Sequence, residues 1–219
     1  MIEILVRSFP LLLKGAVMTL QVLACTACLS LTVGLVLGVF SCQRLRVPGV
    51  SAAIEMFTFI LRAVPFYVQL LIVYFVLPDL LGFQIDPFTA SVWALGMCSS
   101  GYVAQIVRGG INAIADSQWE AAFAVGFSHP QTLRFVILPQ VVRHSLPAIT
   151  NELDALLKST SVVSSIGMLE LTRMGMNAVS REMEPIPIYL AVAGLYLIMS
   201  AGFNAVTRFL EKKVAYVRS

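Results

Sequence analysis

The sequence predicts an all-α membrane protein: five helices that cross a lipid bilayer, with a compact helix–turn–helix slung between the third and the fourth. Three observations predict it. Of 219 residues, 58% are hydrophobic and only 12% charged, well below the charge that coats an ordinary soluble domain. Apolar runs long enough to cross about 30 Å of hydrocarbon recur along the chain. The stretch Glu120–Pro139, by contrast, carries capping and turn signals that no membrane span needs.

The first span covers about residues 15–40 and is nearly free of charge. No positive cluster precedes it and no convincing small-residue cleavage site follows, so the first segment is expected to be retained. Cys25 and Cys28 form a C-x-x-C inside this run, and Cys42 and Cys98 also sit in or beside apolar runs. All four are expected to pack in the interior rather than serve redox or metal chemistry. The second span covers about 52–77, with Glu55 near its start, and is interrupted by Arg62 and Pro65. A bend is expected there, with Arg62 either meeting a carboxylate or bound anion or snorkelling to an interface. The third span covers about 88–107. Gln69 and Gln105 lie at membrane depth, where they hydrogen-bond across helices or face a polar path.

Between the third and fourth spans, Glu120–Pro139 reads EAAFAVGFSHPQTLRFVILP. Gly126 marks a forced turn, Ser128 and Gln131 have capping-box spacing, and Pro130 suits a first helical turn. A second short helix is expected to stop at Pro139. His129 and His144 have no ligand spacing, so no metal site is expected.

The fourth span, about 146–166, contains Asn151, Glu152, Asp154 and Lys158. Each charge costs about 2.5–3.5 kcal/mol at the centre of a lipid-facing helix. Such a helix must be shielded by neighbours or line a wet cavity. Asp154 and Lys158 share a face and either form a structural ion pair or line a path for a polar solute; Glu152 leans toward the path. The fifth span covers about 188–206. No segment repeats, so residues 1–219 form one domain.

Lys and Arg placement gives an orientation. Arg44, Arg46, Arg108, Arg134, Arg143, Arg208, Lys212, Lys213 and Arg218 fall on one side; Arg7, Lys14, Arg173 and Arg181 fall on the other. The Glu120–Pro139 element and the C-terminus are therefore expected in the cytoplasm and the N-terminus outside. No G-x-x-x-x-G-K-[ST] phosphate loop, G-x-S-x-G elbow or H-E-x-x-H pair occurs, so no catalytic residues are assigned.

Glu120-Ala121-Ala122, Gly126, Val136 and Leu138-Pro139 resemble, at every position, the cytoplasmic signature of bacterial ABC importer permeases. Further stretches resemble the polar amino-acid uptake branch (histidine, glutamine, glutamate, arginine and lysine types). They include Leu61-Arg62, Pro65, Val68-Gln69, Arg108-Gly109-Gly110-Ile111, Leu146-Pro147-Ala148, Asn151-Glu152, Lys158 and Ile166-Gly167. Arg62-Ala63-Val64-Pro65, Gln105, Lys158-Ser159-Thr160-Ser161 and Asp116-Ser117-Gln118 depart from the common pattern and bear on the cargo rather than the fold.

The resemblance implies a type I ABC importer permease fold in the bacterial inner membrane. It further implies a second permease subunit, identical or homologous, two ATP-binding subunits and an extracytoplasmic amino-acid-binding protein, with no nucleic acid. Mg-ATP would be used by the partner ATPase, and this chain would carry no cofactor. Glu120, Ala121, Ala122, Gly126, Arg134, Leu138 and Pro139 would form the coupling helix that meets the ATPase. Arg62, Gln69, Gln105, Asn151, Glu152, Asp154 and Lys158 would face the cargo or its path. Rival readings are the same machine for another solute, and a proton- or sodium-coupled carrier using Glu152, Asp154 and Lys158 as a relay.

Overall fold

The computed structural model describes residues 2–45 and 48–216, so Arg46 and Arg218 of the charge count lie outside the described residues. Every regular element among the described residues is helical. Helix α1 (Ile2–Phe40) has 39 residues, about 58 Å at the α-helical rise. It starts well before the span expected from residue 15. Cys42 is buried and Cys98 half-buried, but Cys25 and Cys28 are exposed on the outer surface of α1. The expected interior packing therefore does not hold for that pair among the described residues.

The second expected span is not one rod. Helix α2 (Val50–Ala63) and the run α3 (Phe66–Leu71), a wide turn over 72–76, and α4 (Leu77–Leu81) meet at 101°. Pro65 lacks an N–H, and Val64 before it is extended at φ −84, ψ 130. Two carbonyls at the break are met by one amide side chain, and Cys98 Sγ also reaches Leu61 O at 3.7 Å. Gln69 Nε2 donates to Leu61 O and to Val64 O, both at 2.7 Å.

Helix α5 (Pro87–Asn112) begins at Asp86, whose carboxylate accepts from Phe88 N at 3.0 Å and Thr89 N at 3.1 Å. Hydrogen bonding from Thr89 holds the Asp86 carboxyl below its usual range. Helix α6 (Asp116–Ala124) closes with Gly126 at φ +89; Phe127 N–H reaches Ala122 O and Gly126 N–H reaches Phe123 O. After the turn, Ser128 N–H donates to Gln131 Oε1 at 2.9 Å at the start of α7 (His129–Thr132).

The chain does not leave the helix at Pro139. A wide turn over Leu133–Ile137 ends with Leu138 N–H bonded to Leu133 O, five residues back. The register slips just before the proline, whose missing donor then falls in the first turn of α8 (Leu138–Ser159), where it costs little. A 3₁₀ segment (Thr160–Ile166) and Gly167 at φ +82 lead to α9 (Leu171–Glu182) and α10 (Pro185–Tyr216).

The start of α9 is pinned on both sides. Leu171 N–H donates to Thr19 Oγ1 of α1 at 3.1 Å. The fully buried Glu170 accepts from Thr172 N and Arg173 N at 2.8 Å and from Tyr196 Oη of α10 at 2.9 Å.

By length and composition α1, α5 and α10 are apolar enough to cross a membrane, and the bent pair α2–α4 makes a fourth candidate. Helix α8 is not among them, because Asn151, Glu152, Asp154 and Lys158 dilute its apolar face. Helix α5 is the centre of the bundle: most of its apolar window is buried, whereas little of α10's is. Between helices already in lipid, close packing replaces the hydrophobic drive. Gly34 and Gly38 of α1 supply it. A Cβ on Gly34 would lie 2.5 Å from Val103 Cβ, and one on Gly38 would lie 2.7 Å from Val107 Cβ. Gly38→Leu should therefore cost about 1–3 kcal/mol through overpacking. It should lower the thermal midpoint of the detergent-purified protein; an unchanged midpoint would show that α1 and α5 do not meet this closely.

Candidate functional site

The Pro65 break, the middle of α5 and the end of α8 enclose a cavity of about 560 Å³. Its polar lining is Arg62, Cys98, Ser99, Tyr102, Glu152 and Ser159. Arg62 stands in the last turn of α2, where its Nε donates to Thr58 O at 3.2 Å. Glu152 enters from α8. A hydroxyl relay reaches it: Ser30 Oγ donates to Ser99 Oγ at 2.8 Å, and Ser99 Oγ donates to Glu152 Oε1 at 2.7 Å. Three helices, α1, α5 and α8, are thus joined through one carboxylate oxygen.

Of the residues expected to face a path, the structure brings Arg62 and Glu152 to one cavity. The others do not line it. Gln69 closes the helix break. Asn151 and Gln105 are exposed. Asp154 Oδ2 accepts from Lys158 Nζ at 2.6 Å, and its Oδ1 accepts from Ser200 Oγ at 2.6 Å and Asn204 Nδ2 at 3.5 Å. That carboxylate ties α8 to α10. The Lys158 side chain is 63% exposed, so its half of the pair is largely open. Sequence reasoning missed Ser99, Tyr102 and the Ser30 relay, and it placed Cys98 only in packing. The one signal for them was the small polar run Ser99-Ser100-Gly101 inside an apolar span.

At one end of the bundle lies the element α6–α7. Trp119, 1% exposed, anchors it in a cluster with Val107, Ile111, Ile137 and Val141, and Ala122 in the same helix is buried too. Arg44 covers that anchor, paired with Asp116 and 5.8 Å from the Trp119 ring centre. Glu120, Ala121, Gly126, Arg134 and Pro139 are exposed, while Leu138 is half-buried. Around them Val125, Phe127 and Phe135 are exposed too, with the two phenylalanine rings 6.3 Å apart. These side chains give a polar, non-spanning element an apolar rim.

Residues 30–216 match the family described as the inner membrane component of binding-protein-dependent transport systems. The chain belongs to that family. A member of this inner-membrane family is normally not itself catalytic, and the family implies ATP use by a partner subunit. The chain is 36% identical over 213 residues to the arginine transport system permease protein ArtQ of Bacillus subtilis (strain 168), covering 95% of this chain and 94% of that one. It is also 36% identical over 210 residues to the glutamine transport system permease protein GlnP of Escherichia coli (strain K12), covering 94% of each. Among solved structures, an amino acid ABC transporter chain superposes with TM-score 0.87 at 32% identity, covering 95% of this chain and 96% of that one. The MetNI methionine transporter shares the fold, with TM-score 0.82 at 19% identity, covering 94% of this chain and 97% of that one. The all-helical architecture is thus that of an ABC permease.

The two members of the α8 ion pair, Asp154 and Lys158, should separate by experiment. Asp154→Ala leaves the Ser200 hydroxyl without its acceptor and removes the tie from α8 to α10, and should destabilise the protein by about 1–3 kcal/mol. Lys158→Met, which removes a largely exposed partner, should cost under about 1 kcal/mol. Thermal midpoints measured in one detergent check the ranking, and equal losses would refute it.

Proposed function

We propose that this chain is the membrane-spanning permease subunit of an ATP-driven importer for a polar amino acid. One observation carries the reading: α8 runs without a break from Leu138, in the exposed element, to Glu152 in the charged cavity. That is about 21 Å of continuous helix. Helix α5 likewise joins Ser99 in the cavity to Asn112, next to α6. A push on the element is delivered to the cavity walls as rigid-body motion, which is what alternating access requires.

In this reading the exposed rim with Glu120, Ala121, Gly126, Arg134 and Pro139 is the coupling helix, set in a groove of an ATP-binding subunit. Two such subunits hydrolyse Mg-ATP, a second permease completes the path, and an extracytoplasmic binding protein delivers the amino acid. Helix α8 with its 3₁₀ extension is the fourth of the five crossings, its polar face covered by neighbours. The coupling element and the C-terminus lie in the cytoplasm and the N-terminus outside, as the Lys and Arg distribution supports. The names of the relatives, for arginine and glutamine, support an amino acid over another solute. A proton or sodium relay through Glu152, Asp154 and Lys158 has less support, because Asp154 faces α10 and Glu152 the cavity.

Two substitutions test the reading in proteoliposomes with the partner subunits. Gly126→Val forces a branched side chain to φ +89, a strain of about 1–3 kcal/mol. It should uncouple ATP hydrolysis from uptake while membrane insertion persists; full uptake would remove the coupling role. Glu152→Gln should change the kinetics of uptake without loss of complex assembly, and wild-type kinetics would return Glu152 to a structural role.

A further inference from the structure

The relatives leave the charge of the cargo open, since arginine and glutamine permeases match this chain at the same identity. The cavity itself breaks that tie. Resting on the importer reading above, we infer that this cavity takes a zwitterionic amino acid whose side chain carries no net charge.

The lining holds one cation, Arg62, and one anion, Glu152. Among the described residues no ion pair joins them, although both border the same space. Arg62 spends only Nε, on Thr58 O, so both terminal guanidinium nitrogens lack a hydrogen-bond partner among the described residues. Glu152 receives Ser99 on Oε1, and Oε2 has no partner there. Two opposed charges left unpaired in a half-buried site are costly unless a ligand bridges them. An α-carboxylate suits the guanidinium fork and an α-ammonium suits the free carboxylate oxygen.

Once those two groups are matched, no charge is left for a side chain. The remaining polar lining is Cys98, Ser99, Tyr102 and Ser159, all uncharged donors and acceptors, among the apolar Phe66, Leu95 and Leu156. One turn beyond Tyr102 on α5, the next polar side chain is the uncharged amide of Gln105. A guanidinium or ammonium side chain would meet no second carboxylate, and a carboxylate side chain would meet no second cation. A carboxamide or hydroxyl side chain meets partners.

The test is binding of labelled glutamine to the detergent-purified permease–ATPase complex without its binding protein, with unlabelled glutamine, arginine and glutamate as competitors. Glutamine should compete about tenfold better than either charged amino acid, the size of one partly screened charge mismatch. Arg62→Gln, which leaves the lining with a net negative charge, should shift competition toward arginine by about the same factor, and Glu152→Gln should shift it toward glutamate. A purely structural role for these residues would weaken all three amino acids alike. Arginine or glutamate competing as well as glutamine in the unaltered complex would overturn the inference while leaving the importer reading intact. No binding, with amino-acid uptake still present in proteoliposomes, would also overturn it. No uptake of any amino acid with all partners present would instead sink the importer reading itself.

Discussion

The structure depends on one unbroken helix. Helix α8 leaves the exposed element at Leu138, passes Pro139 and Pro147 without stopping, and presents Glu152 to the cavity before tightening into a 3₁₀ segment. Its polar residues make it a poor lipid-facing rod, and its two carboxylates are answered differently. Glu152 is met by Ser99, and Asp154 by Lys158, Ser200 and Asn204. Thr150 Oγ1 reaches Glu211 Oε1 on α10 at 3.1 Å. Because these contacts lie on different sides, α8 is held between α5 and α10 while one carboxylate remains turned to open space.

The rest of the bundle makes room for that arrangement. Helix α1 packs on α5 through Gly34 and Gly38, where nothing larger fits. Close approach brings Ser30 within reach of Ser99, so small residues at the interface also complete the relay to Glu152. On the other flank, the 101° break at Pro65 turns α3 out of line with α2 and leaves Arg62 on the wall of the cavity. The break persists because Gln69 meets two of the carbonyls it exposes. A bend without that amide would leave them bare in the apolar region, at about 1–3 kcal/mol each.

Much of this was legible in the residues. Long apolar runs gave α1, α5 and α10, and the Glu120–Pro139 spacing marked a turn at Gly126 that forms with its capping residues in place. Arg62 and Glu152 stood out because charge at membrane depth demands a reason. What stayed hidden depends on pairing across distance in sequence. Pro65 announced a bend but not its angle, nor that Gln69 would close it. Pro139 read as a stop, since a local rule does not foresee a wide turn that shifts the register beneath it. The division of labour between Glu152 and Asp154 required knowing that Ser200 and Asn204 lie on one side of α8 and Ser99 on the other. A serine inside an apolar run gives no local hint of its partner.

The central claim is that α8 moves as one piece between the proposed ATPase contact and the cavity. Spin-label distances in the assembled complex measure it most directly, with labels at Arg134, Ser159 and, as a fixed reference on α1, Val6. Between the nucleotide-free and ATP-trapped states, the account predicts that both distances to Val6 change while the Arg134–Ser159 distance stays constant. A change in Arg134–Ser159 itself, with Ser159 stationary against Val6, would contradict it.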